Sequence, residues 1–207
     1  MNYRIHSHRH GLNTLENDVE FKEAWEEVRS ALHNITDEMI IEYHEQHYIT
    51  SNKSISKTLT DMITKQLLEM RWKKGVYIFK EERYQDKTWQ LDFMKDSISL
   101  EVGFNHGGTI AWNLMKPVLA AESNQVGKTV QAKVGIVICA TNELRNKGGF
   151  DGAIGTFEKY VDHLKPLHNQ LTVPLVIIGL EKPESFFIEV YKESQSTKRG
   201  RIRYYER

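Results

Sequence analysis

The 207-residue chain has one cysteine, four prolines, no excess of either charge and no hydrophobic run of membrane-spanning length. Each shortage removes a class of protein. A single thiol forms no intrachain disulfide, so a disulfide-stapled scaffold is excluded; Cys139, inside an apolar run, is expected to be a small buried core residue. No apolar stretch approaches the ~18 residues of a membrane span. The polar N-terminus, rich in His and Arg, lacks the apolar segment of a signal peptide. No membrane partner is expected, and a cytoplasmic location is. The 28 Lys and Arg cancel the 28 Asp and Glu, so no global field draws the chain to a polyanion, although a local basic patch suffices. Internal repeats and low-complexity linkers are missing too, which suits one domain with its own core.

What is present has clear periodicity. Leu15, Val19, Trp25, Val28 and Leu32 predict an amphipathic helix over 15–32. A shorter helix is expected over 34–47, and another over 58–70 carrying Leu59, Met62, Ile63, Leu67 and Met70 on one side. Strands follow at 76–79, 88–93 and 98–104, then a helical stretch at 109–122 that Pro117 should kink or break. Residues 130–140 and 173–180 are apolar on both faces, as in strands central to a sheet. Between them, Ile154, Phe157, Tyr160, Val161 and Leu164 predict a helix over 153–167, ending near Pro166. The order implies an α/β fold, a mixed central β-sheet flanked by helices. Its parts are an N-terminal helical portion (about 12–72), an α/β core (about 76–183) and a basic C-terminal segment (195–207).

Asp92 and Glu101 sit in two of the predicted strands, which are joined by turn-prone residues, so a hairpin brings them together at a sheet's end. Two acids sharing a site repel each other unless a divalent cation compensates, and a carboxylate buried in an apolar strand needs a partner or a metal. Mg²⁺ is the economical occupant, because it takes one or two protein carboxylates and leaves its other positions to water and phosphate. The bland alternative is a pair of solvated strand ends, which a chain that is 27% charged supplies by chance. Strand alternation puts Glu101, Gly103 and Asn105 on one face, with Val102 and Phe104 on the other, and Gly103 is expected to leave open space beside Glu101.

Rival sites are weaker. His6, His8 and His10 alternate and would form a metal trap on a strand, but a flexible, partly protonated segment is favoured. His44-Glu45-Gln46-His47 is one residue short of the spacing that puts two zinc-binding histidines on one helical face. The loop Gly148-Gly149-Phe150-Asp151-Gly152 lacks the Lys-Ser/Thr of a phosphate-binding loop. In the C-terminal run, Lys198, Arg199, Arg201, Arg203 and Arg207 interleave with Tyr204 and Tyr205. It reads equally as a phosphate-contacting element and as a solvated tail.

With these residues in view, the chain resembles type II restriction endonucleases of the BglII/BstYI group, within the PD-(D/E)XK nucleases. The likeness rests on Asp92, eight residues, then Glu101-Val102-Gly103-Phe104. It continues through Val134-Gly135-Ile136-Val137, Asn142-Glu143-Leu144 and the run from Val173 to Leu180. It includes Ser7-His8, Gly11-Leu12 and Trp25-Glu26-Glu27-Val28 near the N-terminus, and is poor between about 33 and 90. The resemblance implies a homodimer that uses Mg²⁺, with Mn²⁺ able to substitute, to cut both strands of a short palindromic site in double-stranded DNA.

On that reading Asp92, Glu101 and the Val102 carbonyl hold the metal. Gly103 stands where the group has Gln and where other PD-(D/E)XK nucleases usually have Lys, and Thr60 falls near a helix-borne catalytic Asn. Asn105, on the same strand face as Glu101, is a candidate substitute. His106 and Asp151 fall near base-reading positions, and Lys116, Lys128 and Lys133 are candidates for the DNA-facing wall. Relatives recognise sites centred on GATC, and the altered reading residues leave a different site open. Two other readings stay open: a sequence-specific DNA-binding protein on a weak or inactive nuclease scaffold, and an interaction domain with no nucleic-acid role.

Overall fold

The computed structural model describes residues 1–48, 53–122, 126–195 and 197–206. Its elements are β1 (Tyr3–His8), α1 (Gly11–Asn17), α2 (Lys22–His33), α3 (Asp37–His47), α4 (Ser56–Glu69), β2 (Lys73–Tyr77), β3 (Gln90–Lys95), β4 (Ile98–Val102), α5 (Ile110–Ala121), β5 (Val134–Ala140), α6 (Asn142–Lys147), α7 (Phe157–Leu164), β6 (Leu175–Leu180), β7 (Phe186–Lys192) and β8 (Lys198–Tyr204). The mixed α/β architecture expected from the sequence is present. Six strands form one sheet in the order β1-β6-β5-β4-β3-β2. The fully apolar strands β5 and β6 pair in parallel at its centre, and β4 joins β5 in parallel. On β4's other side, β3 pairs antiparallel and β2 follows antiparallel at the edge.

The two faces of the sheet carry different loads. Phe93, Leu100, Val102, Ile136 and Ile138 pack against the N-terminal helices through Trp25, Leu59 and Ile63. The opposite face meets α5 and α7 through Val137, Cys139, Leu114 and Tyr160, with Met94 against Ala120 farther along. Cys139 is fully buried, as expected.

Several sequence expectations change in detail. The helix expected over 15–32 is two helices. Asp18 breaks it: its side chain accepts the Glu20 N–H at 2.9 Å and its carbonyl accepts from Phe21 and Lys22, a local turn that competes with the helix. Val19, assigned to the apolar side, is 92% exposed. Pro117 does not break α5; its ring is buried against Gly135 of β5, so tertiary packing holds the helix through the lost backbone bond. The helix expected over 153–167 covers only Phe157–Leu164, because Ile154 is bridged to His106 instead.

The histidine-rich N-terminus is strand β1, paired antiparallel with β6. There His8 is buried and its Nε2 bonds the Leu171 carbonyl at 3.0 Å, while His10 lies beyond the strand at a positive φ. The C-terminal run is not a solvated tail as far as Tyr204: it is β8, paired along its length with β7. Arg207 lies outside the described residues. None of the described helices is long and apolar enough to cross a membrane.

Candidate active site

The hairpin β3–β4 turns on two residues, Asp96 and Ser97, since Lys95 faces Ile98. Asp96 takes φ 49°, a left-handed conformation that Asp tolerates better than most residues. This tight turn fixes the register that brings Asp92 and Glu101 together. The Asp92 N–H donates to Glu101 Oε1 at 3.2 Å, and Asp92 Oδ2 accepts the Val102 N–H at 2.9 Å. Each carboxylate therefore holds the other's strand. On the far side of β3, Lys74 pairs with Phe93 and Val76 with Leu91, so Gly75, at φ 67°, stands beside Asp92 without a side chain.

Glu101 is 1% exposed. Burial, then repulsion from Asp92, pushes its carboxyl up to about 8. Both causes resist the ionised form, and both yield to added positive charge. Part of that charge comes from α5: Lys116 Nζ lies 2.7 Å from Glu101 Oε2. Lys116, a candidate for the DNA-facing wall whose direction the sequence left open, is 6% exposed and turned towards the sheet. A sequence signal was available, since Lys116 is the only ionisable residue in the twelve-residue apolar helix α5 and a lone buried charge needs a partner.

Beside the acids an open cleft of about 240 Å³ is lined by Thr60 and Thr64 of α4, Lys74, Gly75, Gln90, Asp92, Phe93, Val102, Phe104 and Asn105. It gathers Thr60, Asp92, Val102 and Asn105 from three separate stretches of sequence. Lys74, exposed on β2, belongs to the same cleft and was missed; two adjacent lysines at the start of a short strand gave no signal. The Thr60 hydroxyl donates to the Ser56 carbonyl at 2.9 Å. Gly103 lies on the opposite face, where a Cβ would come 2.3 Å from the Tyr160 hydroxyl and 3.3 Å from Asn113 Nδ2. The open space expected beside Glu101 is therefore filled from α7 and α5.

His106 and Asp151 come from loops that are tied together. Gly107 N–H donates to the Ala153 carbonyl at 2.7 Å, and Gly155 N–H to the Asn105 carbonyl at 2.9 Å. His106 is exposed, and its Nδ1 accepts the Gly108 N–H at 3.0 Å. A backbone N–H only donates, so the neutral ring carries its proton on Nε2. Asp151 accepts the Ala153 N–H and pairs with Lys53 Nζ at 3.1 Å, and both hold its carboxyl below the usual range. Lys198 adds to that effect. Arg201 and Arg203 both bond Glu189 Oε2, and Arg199 bonds Glu193. Of the remaining wall candidates, Lys133 pairs with Glu20 and Lys128 bonds the Ala120 and Glu122 carbonyls.

Among the described residues no three His, Cys, Asp or Glu side chains gather as a metal cluster. Asp92 and Glu101 offer two hard oxygen donors, one buried and short of positive charge, which fits a Mg²⁺-type cation that keeps most of its water.

A family model described as restriction endonuclease BglII/BglIII matches residues 3–180. No curated protein matches by sequence. Among solved structures, the chain is similar to the restriction endonuclease BglII complexed with a DNA 16-mer, with a TM-score of 0.67 and 19% identity over 99% of this chain and 100% of that one. It is also similar to free BglII, with a TM-score of 0.54 and 15% identity over 99% of this chain and 100% of that one.

Proposed function

The chain belongs to the BglII restriction endonuclease family, and from that premise we propose that it is a type II enzyme that hydrolyses both strands of a short palindromic site in double-stranded DNA. The observation that carries this reading is the pairing of Asp92 with buried Glu101 at the rim of an open cleft. Asp92 and Glu101 would hold Mg²⁺, with Mn²⁺ as a substitute and the Val102 carbonyl as a further ligand. The cation supplies activation of the attacking water and neutralises charge on the leaving 3′-oxygen.

The chain's own residues do the rest. Asp92 and Glu101 lock each other's strands, so the carboxylates need little reorganisation when a phosphate arrives. Asn105 and Lys74, which line the cleft wall, would contact the DNA backbone. His106 presents Nε2–H outward, a donor that suits the N7 or O6 acceptor of a purine and not an amino group. Asp151 would favour a cytosine amino group. Lys198, Arg199, Arg201 and Arg203 form a basic strand for phosphate contacts. A homodimer would present one cleft to each DNA strand, as a palindrome requires.

A second reading, specific DNA binding without cutting, is favoured by Gly103, which carries no side chain to orient water. Digestion of unmethylated phage DNA in Mg²⁺, beside Ca²⁺, separates the two. Discrete fragments in Mg²⁺ alone are expected; intact DNA in both Mg²⁺ and Mn²⁺, with retained duplex binding, would establish the second reading.

A further inference from the structure

If the chain is a nuclease, the group missing from Gly103 must come from elsewhere. It cannot be restored at position 103 without displacing Tyr160, whose hydroxyl receives the Asn113 Nδ2–H at 2.7 Å. The same face of the sheet carries another cation. Lys116 is buried, is the only ionisable residue of α5, and among the described residues makes one side-chain hydrogen bond, to Glu101 Oε2 at 2.7 Å. An ammonium has three donors. The bond to Glu101 engages one of them, which leaves the head group able to hold a second anionic oxygen beside that carboxylate.

We infer that Lys116 is a catalytic residue, delivered from helix α5 instead of strand β4, whose free N–H groups donate to a non-bridging oxygen of the scissile phosphate. The inference rests on the nuclease reading above. During hydrolysis the water oxygen bonds to phosphorus and the bond from phosphorus to the 3′-oxygen breaks. The water's proton leaves to solvent, and the 3′-oxygen takes one from solvent, giving a 5′-phosphate and a 3′-hydroxyl. Lys116 stays protonated throughout. As a donor-only group it cannot act as the base; it offsets charge that builds on the phosphate oxygens.

The test compares Lys116→Met and Lys116→Gln with the unaltered chain in three measurements: Mn²⁺ binding by calorimetry, duplex binding in Ca²⁺, and single-turnover cleavage in Mg²⁺. The inference predicts cleavage slowed by at least ~100-fold in both variants, with Mn²⁺ and duplex binding retained and changed far less than cleavage. Gln keeps a hydrogen bond to Glu101, so a role confined to holding that carboxylate would leave Lys116→Gln active. Should Lys116→Met fail to fold, Lys116→Gln decides alone. Near-normal cleavage by either folded variant overturns the inference, as does parallel loss of Mn²⁺ binding and cleavage, which would make Lys116 a positioning residue for Glu101. Absence of cleavage by the unaltered chain removes the nuclease reading itself, a separate result from either.

Discussion

Two places in the molecule pair a carboxylate with basic side chains at nearly the same distance, and they behave in opposite ways. Lys116 stands 2.7 Å from Glu101, while Arg201 and Arg203 stand 2.6 and 2.7 Å from Glu189. Glu101 is 1% exposed and its carboxyl is pushed up to about 8; the Glu189 side chain is 40% exposed and its two arginines pull its carboxyl down to about 2. The contacts are alike and the surroundings are not. In water the pair on β7–β8 lacks nothing, and such pairs contribute little to stability. Under α5 one lysine does not offset burial plus the neighbouring Asp92, so the site remains short of positive charge. That deficit is what a divalent cation would fill.

The widest contrast should come from Asp92→Ala. It is expected to reduce Mg²⁺-dependent cleavage by more than ~100-fold with duplex binding in Ca²⁺ retained, and gel digestion beside a Ca²⁺ binding titration checks both.

A smaller separation follows from the pH dependence of stability. The Glu101 carboxyl in the folded chain lies above its ordinary value of 4.5, so its contribution is fully present below about 4.5 and is lost as pH rises through about 8. Thermal melts without divalent cations should show the unaltered chain losing several degrees relative to Glu101→Gln between pH 5 and 8.5. Added Mg²⁺, which favours the ionised form, should return part of that loss to the unaltered chain only. Glu189→Gln should move the melting temperature by no more than about one degree at any of these pH values. An equal pH slope for both variants would erase the distinction drawn between the two sites.

At the DNA-reading loops, His106→Ala is expected to cost about tenfold in discrimination at one base pair, measured by cleavage of duplexes substituted there. The least effect is predicted for Arg201→Ala combined with Arg203→Ala. Duplex affinity should fall uniformly across sequences, and the slope against log salt should lessen by about two.

The candidate site was legible in the sequence where its geometry is local. Asp92 and Glu101 face each other because of a two-residue turn at Asp96-Ser97, and turn chemistry is written in neighbouring residues. The central strands were legible because β5 and β6 are apolar on both faces. What escaped depends on residues far apart in the chain. Strand β1 becomes a strand by pairing with β6, some 170 residues on, so three alternating histidines alone suggested a loose segment. Lys116 meets Glu101 because α5 folds back over β4, and Gly103 is filled by Tyr160 from α7. Its absent side chain therefore looked like open space. The β7–β8 hairpin was missed because the basic composition of its second strand obscured the alternation in Phe186–Lys192.

The most direct test is parallel digestion of unmethylated DNA in Mg²⁺ by the unaltered chain, Glu101→Gln and Glu189→Gln. The same discrete fragments are expected from the unaltered chain and from Glu189→Gln, and intact DNA with Glu101→Gln. Fragments of equal yield from Glu101→Gln would contradict this, because the buried pair would then not be where the phosphodiester is cut.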